Sequence, residues 1–152
     1  MATRKIVQLG DEVLRKKSFK VEAINDKIRI LLDDMKETLE KANGAGLAAV
    51  QVGLLKRIFI VSVEEGYFEF INPEIISTSG TQTGAEGCLS VKGKFGEVVR
   101  PNEVTIKAFD RYGEPFQLTA KGFFARAICH EYDHLDGILY IDKASRIMEE
   151  DE

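Results

Sequence analysis

Apolar residues recur at three- and four-residue spacing from Ile28 through Leu31, Leu32, Met35 and Leu39 to Ala42, laying one hydrophobic stripe along a helix. Asn25 is a suitable N-cap and Asn43-Gly44 a suitable stop, so the pattern predicts a helix over Asp26 to Ala42. Earlier in the chain only a weak helical turn is predicted, around Glu12 to Lys17. The period then changes. Arg57 to Val63 is a β-branched and aromatic run, and Tyr67 to Ile71 alternates after a turn at Gly66. Glu74 to Thr78, Glu97 to Arg100 and Val104 to Phe109 follow as strands, and Phe116 to Ala120 returns after a turn over Arg111 to Pro115. Helical spacing resumes from about Gly122 to Asp136. There Phe123, Phe124, Ala127, Ile128, Glu131 and Leu135 are predicted to face inward, and Gly137 to end the helix. Strands grouped between two helices, without regular β-α-β alternation, favour an α+β fold.

Length and composition agree with one domain. The chain has 152 residues, 44% hydrophobic and 30% charged, which is ordinary globular usage. Acids number 25 and bases 21, and the net charge of −4 lies wholly in Glu149, Glu150, Asp151 and Glu152. The expected division is therefore a single domain over 1–148 and an acidic tail over 149–152. A charge-balanced body has no basic field, so direct nucleic-acid binding by bulk charge is not expected. No apolar run approaches the roughly 18 residues of a membrane span, and no signal segment follows Met1 to Lys5, so a cytoplasmic location is expected. Two cysteines, Cys88 and Cys129, are too few for a disulfide framework and read as buried, metal-binding or catalytic. The chain's two histidines, His130 and His134, lie four residues apart.

His130-Glu131-Tyr132-Asp133-His134 is an H-E-x-x-H motif within the second helix. Residues four apart share a helix face, so both imidazoles can reach one divalent metal. Glu131, one position on, is placed to act as general base toward a water that the metal acidifies. Catalytic sites of this type usually have three protein ligands and an open position. Zinc proteases with this motif take the third ligand from a later helix, or from a histidine six residues on. Here 18 residues follow His134, and Tyr140 stands where that histidine would be. Cys88, in Glu86-Gly87-Cys88-Leu89-Ser90, is the remaining strong candidate, placed where the polar, turn-rich stretch Ser77 to Gly84 meets a strand. Cys129 is turned about 100° from His130 on the helix and is read as core or helix flank. Gly44-Ala45-Gly46-Leu47-Ala48-Ala49-Val50-Gln51 is a small-residue run that permits close backbone approach. Gln51 at its end carries an amide able to donate to an oxyanion.

Together these three motifs, G-x-G-x-A-A-x-Q, E-G-C-L-S and H-E-x-D-H in that order, resemble those of the peptide deformylase family, over nearly the whole chain. The resemblance implies an α+β fold with the H-E-x-x-H helix packed against antiparallel sheets. It implies hydrolysis of the N-formyl group from the formyl-methionine of nascent polypeptides, releasing formate. Cys88, His130 and His134 then match metal ligands, Glu131 the general base and acid, and Gln51 with the Leu89 N–H the oxyanion donors. Ala45, Gly46 and Gly87 match positions lining the peptide, and Glu86 with Arg100 a supporting ion pair. Phe123, Ala127 and Leu89 are expected around the methionine side chain. Ferrous iron is the metal expected in the cell, with zinc, nickel or cobalt able to substitute. The nascent peptide is the expected partner, and any ribosome docking is expected to avoid the acidic tail, which phosphate would repel.

Some positions depart from the family pattern. Gly10 stands where proline is common before Asp11, which predicts a looser N-terminal turn. Lys92 replaces a common proline on the peptide-binding side, and Cys129 a frequent glutamine, suggesting a second thiol near the metal. Two alternatives remain open at this level: a small zinc peptidase or amidase, and a non-catalytic metal-binding homologue.

Overall fold

The computed structural model of the protein describes residues 2–149. The first helix, α1 (Asp26–Ala42), has the predicted bounds. Its caps explain why: the Asn25 side chain accepts from the Ile28 N–H, and Asn43 takes the left-handed conformation at φ 57° that ends the helix. The predicted turn at Glu12 is a short 3-10 helix, Glu12–Arg15.

Among the described residues, eight strands form two antiparallel sheets. They are β1 (Gly46–Ala48), β2 (Ile58–Val63), β3 (Gly66–Ser79), β4 (Gln82–Cys88), β5 (Val91–Arg100), β6 (Glu103–Phe109), β7 (Pro115–Lys121) and β8 (Arg146–Glu149). The larger sheet has the order β1-β2-β3-β6-β7 and the smaller β4-β5-β8. The second helix, α2 (Phe123–His134), follows Gly122, and Gly137 closes its end at φ +74°. Gly137 packs so closely on the Arg15 backbone that no Cβ would fit there.

β2 explains the arrangement of the core. Its Ile58 and Ile60 pack with α1 residues such as Leu32 and Met35, while Phe59 and Val61 pack with Phe124, Ile128 and Cys129 of α2. The sheet lies between the two helices, so a strand buried on both faces reads as a continuous apolar run rather than an alternating one. This is the α+β architecture that the strand grouping predicts.

Several boundaries differ from expectation. The two strands predicted over Tyr67 to Ile71 and Glu74 to Thr78 are one strand, β3, with its register interrupted between Ile71 and Glu74. Pro73 cannot donate to a ladder, and Asn72 turns to φ 51° and exchanges hydrogen bonds with the Val21 backbone. The polar stretch Ser77 to Gly84 is strand on both sides of a tight turn. β8 includes Glu149, paired with Lys94, so the first residue of the expected tail lies in a strand, and residues 150–152 lie outside the described residues.

The N-terminal turn is tight rather than loose. The Asp11 N–H donates to the Gln8 carbonyl at 3.1 Å, with Gly10 at φ +106°. Proline, fixed near −65°, could not adopt that conformation. Among the described residues no helix is long and apolar enough to cross a membrane.

Candidate metal centre and active site

Cys88 ends β4, where Leu89 and Ser90 turn the chain into β5. His130 and His134 lie one helical turn apart on α2, both buried. These elements bring a Cys Sγ and two imidazole nitrogens within 4.8 Å of one another. Cys88 Sγ and His134 Nε2 are 3.4 Å apart. A thiolate and two imidazoles fit a tetrahedral metal with one position left open.

A buried charge cluster orients the first of these imidazoles. His130 Nδ1 lies 2.8 Å from Glu86 Oε1, which turns Nε2 toward the thiol. Glu86 is also bound by Arg100 at 2.8 and 2.9 Å and by Arg126 at 2.5 Å. Arg100 reaches on to Asp133 at 2.6 Å, and Lys143 meets the same Asp133 oxygen at 3.0 Å. Burial alone would raise the Glu86 pKa, but the hydrogen bonds from Arg100 and His130 outweigh it and hold the carboxyl well below the usual carboxylate range. Burial lowers the His134 pKa well below 6.5, and the His130 and Arg100 charges add to this, so His134 is the neutral imidazole a metal requires.

Glu131 has the opposite surroundings. Its Oε1 is buried without a hydrogen-bond partner among the described residues, and its Oε2 is 3.9 Å from His130 Nε2. Burial pushes its pKa up to about 7, against the lowering influence of His130. Gly46 of β1 makes room for it: a Cβ there would lie 2.6 Å from Glu131 Oε2. Gly44 makes room in the same way for Leu89 and Leu39, with side-chain atoms 2.8 and 2.9 Å from where a Cβ would be.

Gln51 lies in a short 3-10 turn, Ala49–Val52, directly after β1. The Ala48 N–H donates to its Oε1 at 2.9 Å, which fixes the amide's orientation. Its Nε2 then donates to Ser90 Oγ at 3.1 Å and faces Cys88 Sγ at 3.5 Å, so one N–H points into the thiol site.

A cavity of about 670 Å³ opens over this centre. Its wall includes Ala45, Gly46, Glu86, Gly87, Cys88, Leu89, Phe123, Ala127, His130 and Glu131, while Gln51, Arg100 and His134 are buried and outside that lining. Phe123 needs correction: it is 60% exposed and forms cavity wall, not core. Cys129 packs in the apolar cluster between α2 and the larger sheet and is not part of the donor group. Burial pushes its thiol pKa up to about 11, so it is a protonated core residue.

Motif reading missed Ser90, Arg126 and Asp133. Ser90 and Asp133 lie inside motifs that had been recognised, and only their contacts reveal what they hold. Arg126 carried no local signal.

A family model for polypeptide deformylase matches residues 3–150. The chain belongs to the polypeptide deformylase family. The peptide deformylase of Caldicellulosiruptor bescii is 53% identical over 152 residues, covering 100% of this chain and 92% of the relative. A peptide deformylase structure from Legionella pneumophila superposes with a TM-score of 0.91 at 41% identity, covering 95% of this chain and 87% of that one. One from Synechococcus elongatus, in complex with actinonin, superposes at 0.90 with 39% identity, covering 93% and 78%. This deformylase is thus a metallohydrolase that removes the N-formyl group from the N-terminal formyl-methionine of nascent polypeptides and releases formate. That membership decides among the alternatives that H-E-x-x-H alone left open.

Proposed function

We propose that Cys88, His130 and His134 hold one divalent metal, and that Glu131, Gln51 and the Leu89 N–H carry the deformylation around it. The observation that carries this reading is the convergence of three donor atoms within 4.8 Å, with a buried carboxylate on one side and an oriented amide on the other. A metal bound there supplies Lewis acidity to the formyl carbonyl and to the attacking water. Glu131 takes the water's proton and passes it to the departing amine. In the metal-free chain burial raises the pKa of this carboxyl to about 7, the range of a group that both accepts and gives a proton. Gln51 Nε2 and the Leu89 N–H donate to the formyl oxygen as it gains charge.

Ala45, Gly46 and Gly87 line the path of the peptide, and Ala127, Leu89 and Phe123 receive the methionine side chain. Glu86 and Arg100 fix His130. Ferrous iron is the metal assigned in the cell, which makes the thiolate-bearing centre oxidation-sensitive. The catalytic domain is read as 1–148 with 149–152 as an acidic tail. The enzyme is placed in the cytoplasm, and any ribosome contact is assigned to surfaces other than the acidic tail. Co-sedimentation with ribosomes that depends on residues 145–152 would contradict the last point.

The test is formate release from a short formyl-methionyl peptide after anaerobic reconstitution with ferrous iron, with Glu131→Ala alongside. Turnover in the parent and a loss of about 10²–10⁴-fold in the variant, at equal metal content, is the expected result. Equal turnover in both would remove Glu131 from the mechanism.

A further inference from the structure

The two proposed oxyanion donors belong to different elements: Gln51 to the turn after β1, and Leu89 to the connection between β4 and β5, in separate sheets. A third segment ties them together, through three consecutive residues. The Val7 N–H donates to the Gln51 carbonyl at 2.7 Å, and the Leu9 N–H to the Ser90 carbonyl at 2.7 Å. Between them, Gln8 Nε2 donates to the Leu89 carbonyl at 3.0 Å and to the Ile6 carbonyl at 3.3 Å. Both acceptors are carbonyls, so the orientation of the Gln8 amide is fixed by its partners. The turn at Gly10 anchors this segment, because the Gln8 carbonyl accepts from Asp11.

Leu89 and Ser90 lie between the paired residues Cys88 and Val91 and outside the β4–β5 ladder. A side chain that holds the Leu89 carbonyl restrains rotation about the Leu89 backbone, and with it the adjoining peptide that carries the Leu89 N–H. We propose that Gln8 is a positioning residue: it sets the Leu89 N–H at the separation from the Gln51 amide that one oxygen can share. This rests on the reading of Gln51 and Leu89 as oxyanion donors. Removing one such donor outright costs about 10²–10³-fold in kcat. Displacing one by a fraction of an ångström costs a part of that, on the order of tenfold, and leaves substrate binding alone. The backbone ties of Val7 and Leu9 survive any change of the Gln8 side chain, so the segment stays docked when the brace is cut.

The experiment compares Gln8→Met, Gln8→Lys and Gln51→Leu on a short neutral formyl-methionyl peptide, with metal content and melting temperature measured for each. Gln8→Met is expected to lower kcat about tenfold with KM within about twofold and metal content unchanged. Gln8→Lys, which keeps an N–H donor of comparable reach, is expected to recover most of that loss. Gln51→Leu is expected to lose about 10²–10³-fold. The proposal is overturned if Gln51→Leu loses kcat while Gln8→Met does not. It is equally overturned if the loss in Gln8→Met falls on KM or metal content, or if Gln8→Lys is no better than Gln8→Met. Full kcat in Gln51→Leu would instead remove the oxyanion reading, and this proposal with it.

Discussion

Two glutamates flank one imidazole, and their surroundings push them apart. Glu86 and Glu131 are both buried, and both lie beside His130, at Nδ1 and Nε2 respectively. Glu86 has its oxygens filled by two guanidinium groups and the imidazole, and stays ionised. Glu131 has an oxygen with no partner among the described residues and a carboxyl poised near neutrality. Burial acts on both in the same direction. The difference is the supply of donors, which keeps one carboxyl a fixed charge and lets the other hold a proton near neutrality.

Glu131→Gln breaks the comparison at its mobile end and should have the largest effect, about 10²–10⁴-fold in formate release with metal retained. It also has a signature in stability. Between pH 4.5 and about 7 the folded, metal-free chain holds a proton that the unfolded chain has released. Stability therefore falls as pH rises through that window. Glu131→Gln lacks the penalty, so denaturant midpoints of chelator-treated protein should favour the variant more at pH 8 than at pH 5.

Glu86→Gln breaks the fixed end. It leaves two buried guanidinium groups short of their counter-charge, which should cost ~3–5 kcal/mol of stability and about 10–100-fold in metal affinity. Here the sign is reversed. The stabilisation from Glu86 is present above the usual 4.5 and is lost as pH falls through its depressed pKa, so the parent's stability should decline more steeply in acid than the variant's.

Gly46→Ala sharpens the comparison by moving Glu131 without changing its chemistry. The new Cβ would meet Oε2 at 2.6 Å, and a loss on the order of 10–100-fold in kcat with metal retained is expected. Phe123→Ala should raise KM and leave stability within ±0.5 kcal/mol, because its ring is exposed. Cys129→Ala should leave the rate of aerobic inactivation unchanged, since Cys129 packs in the apolar core away from the donor group.

The same contrast explains what the sequence revealed. α1 was legible to the residue because its stripe and both caps are local. The convergence of Cys88, His130 and His134 was legible because H-E-x-x-H is a helical spacing and Cys88 was the thiol that spacing left unexplained. β4 was not legible: Gln82 to Cys88 buries a glutamate among small residues, and hydropathy reads a buried, paired charge as surface. Arg126, Ser90 and Gln8 were invisible for a related reason. Their partners lie 39 to 81 residues away, beyond any local pattern. For Phe123 only the inward-facing expectation fails, because helical periodicity cannot tell a core face from a cavity wall at the helix's first turn.

The most direct test of the two-glutamate account is a carbon-detected NMR titration of chelator-treated protein labelled at glutamate carboxyls. The account predicts one resonance titrating near 7 that vanishes in Glu131→Gln, and one that stays ionised well below 4.5 and vanishes in Glu86→Gln. Glu131 titrating at an ordinary carboxylate value, or Glu86 taking up its proton near neutrality, would contradict it.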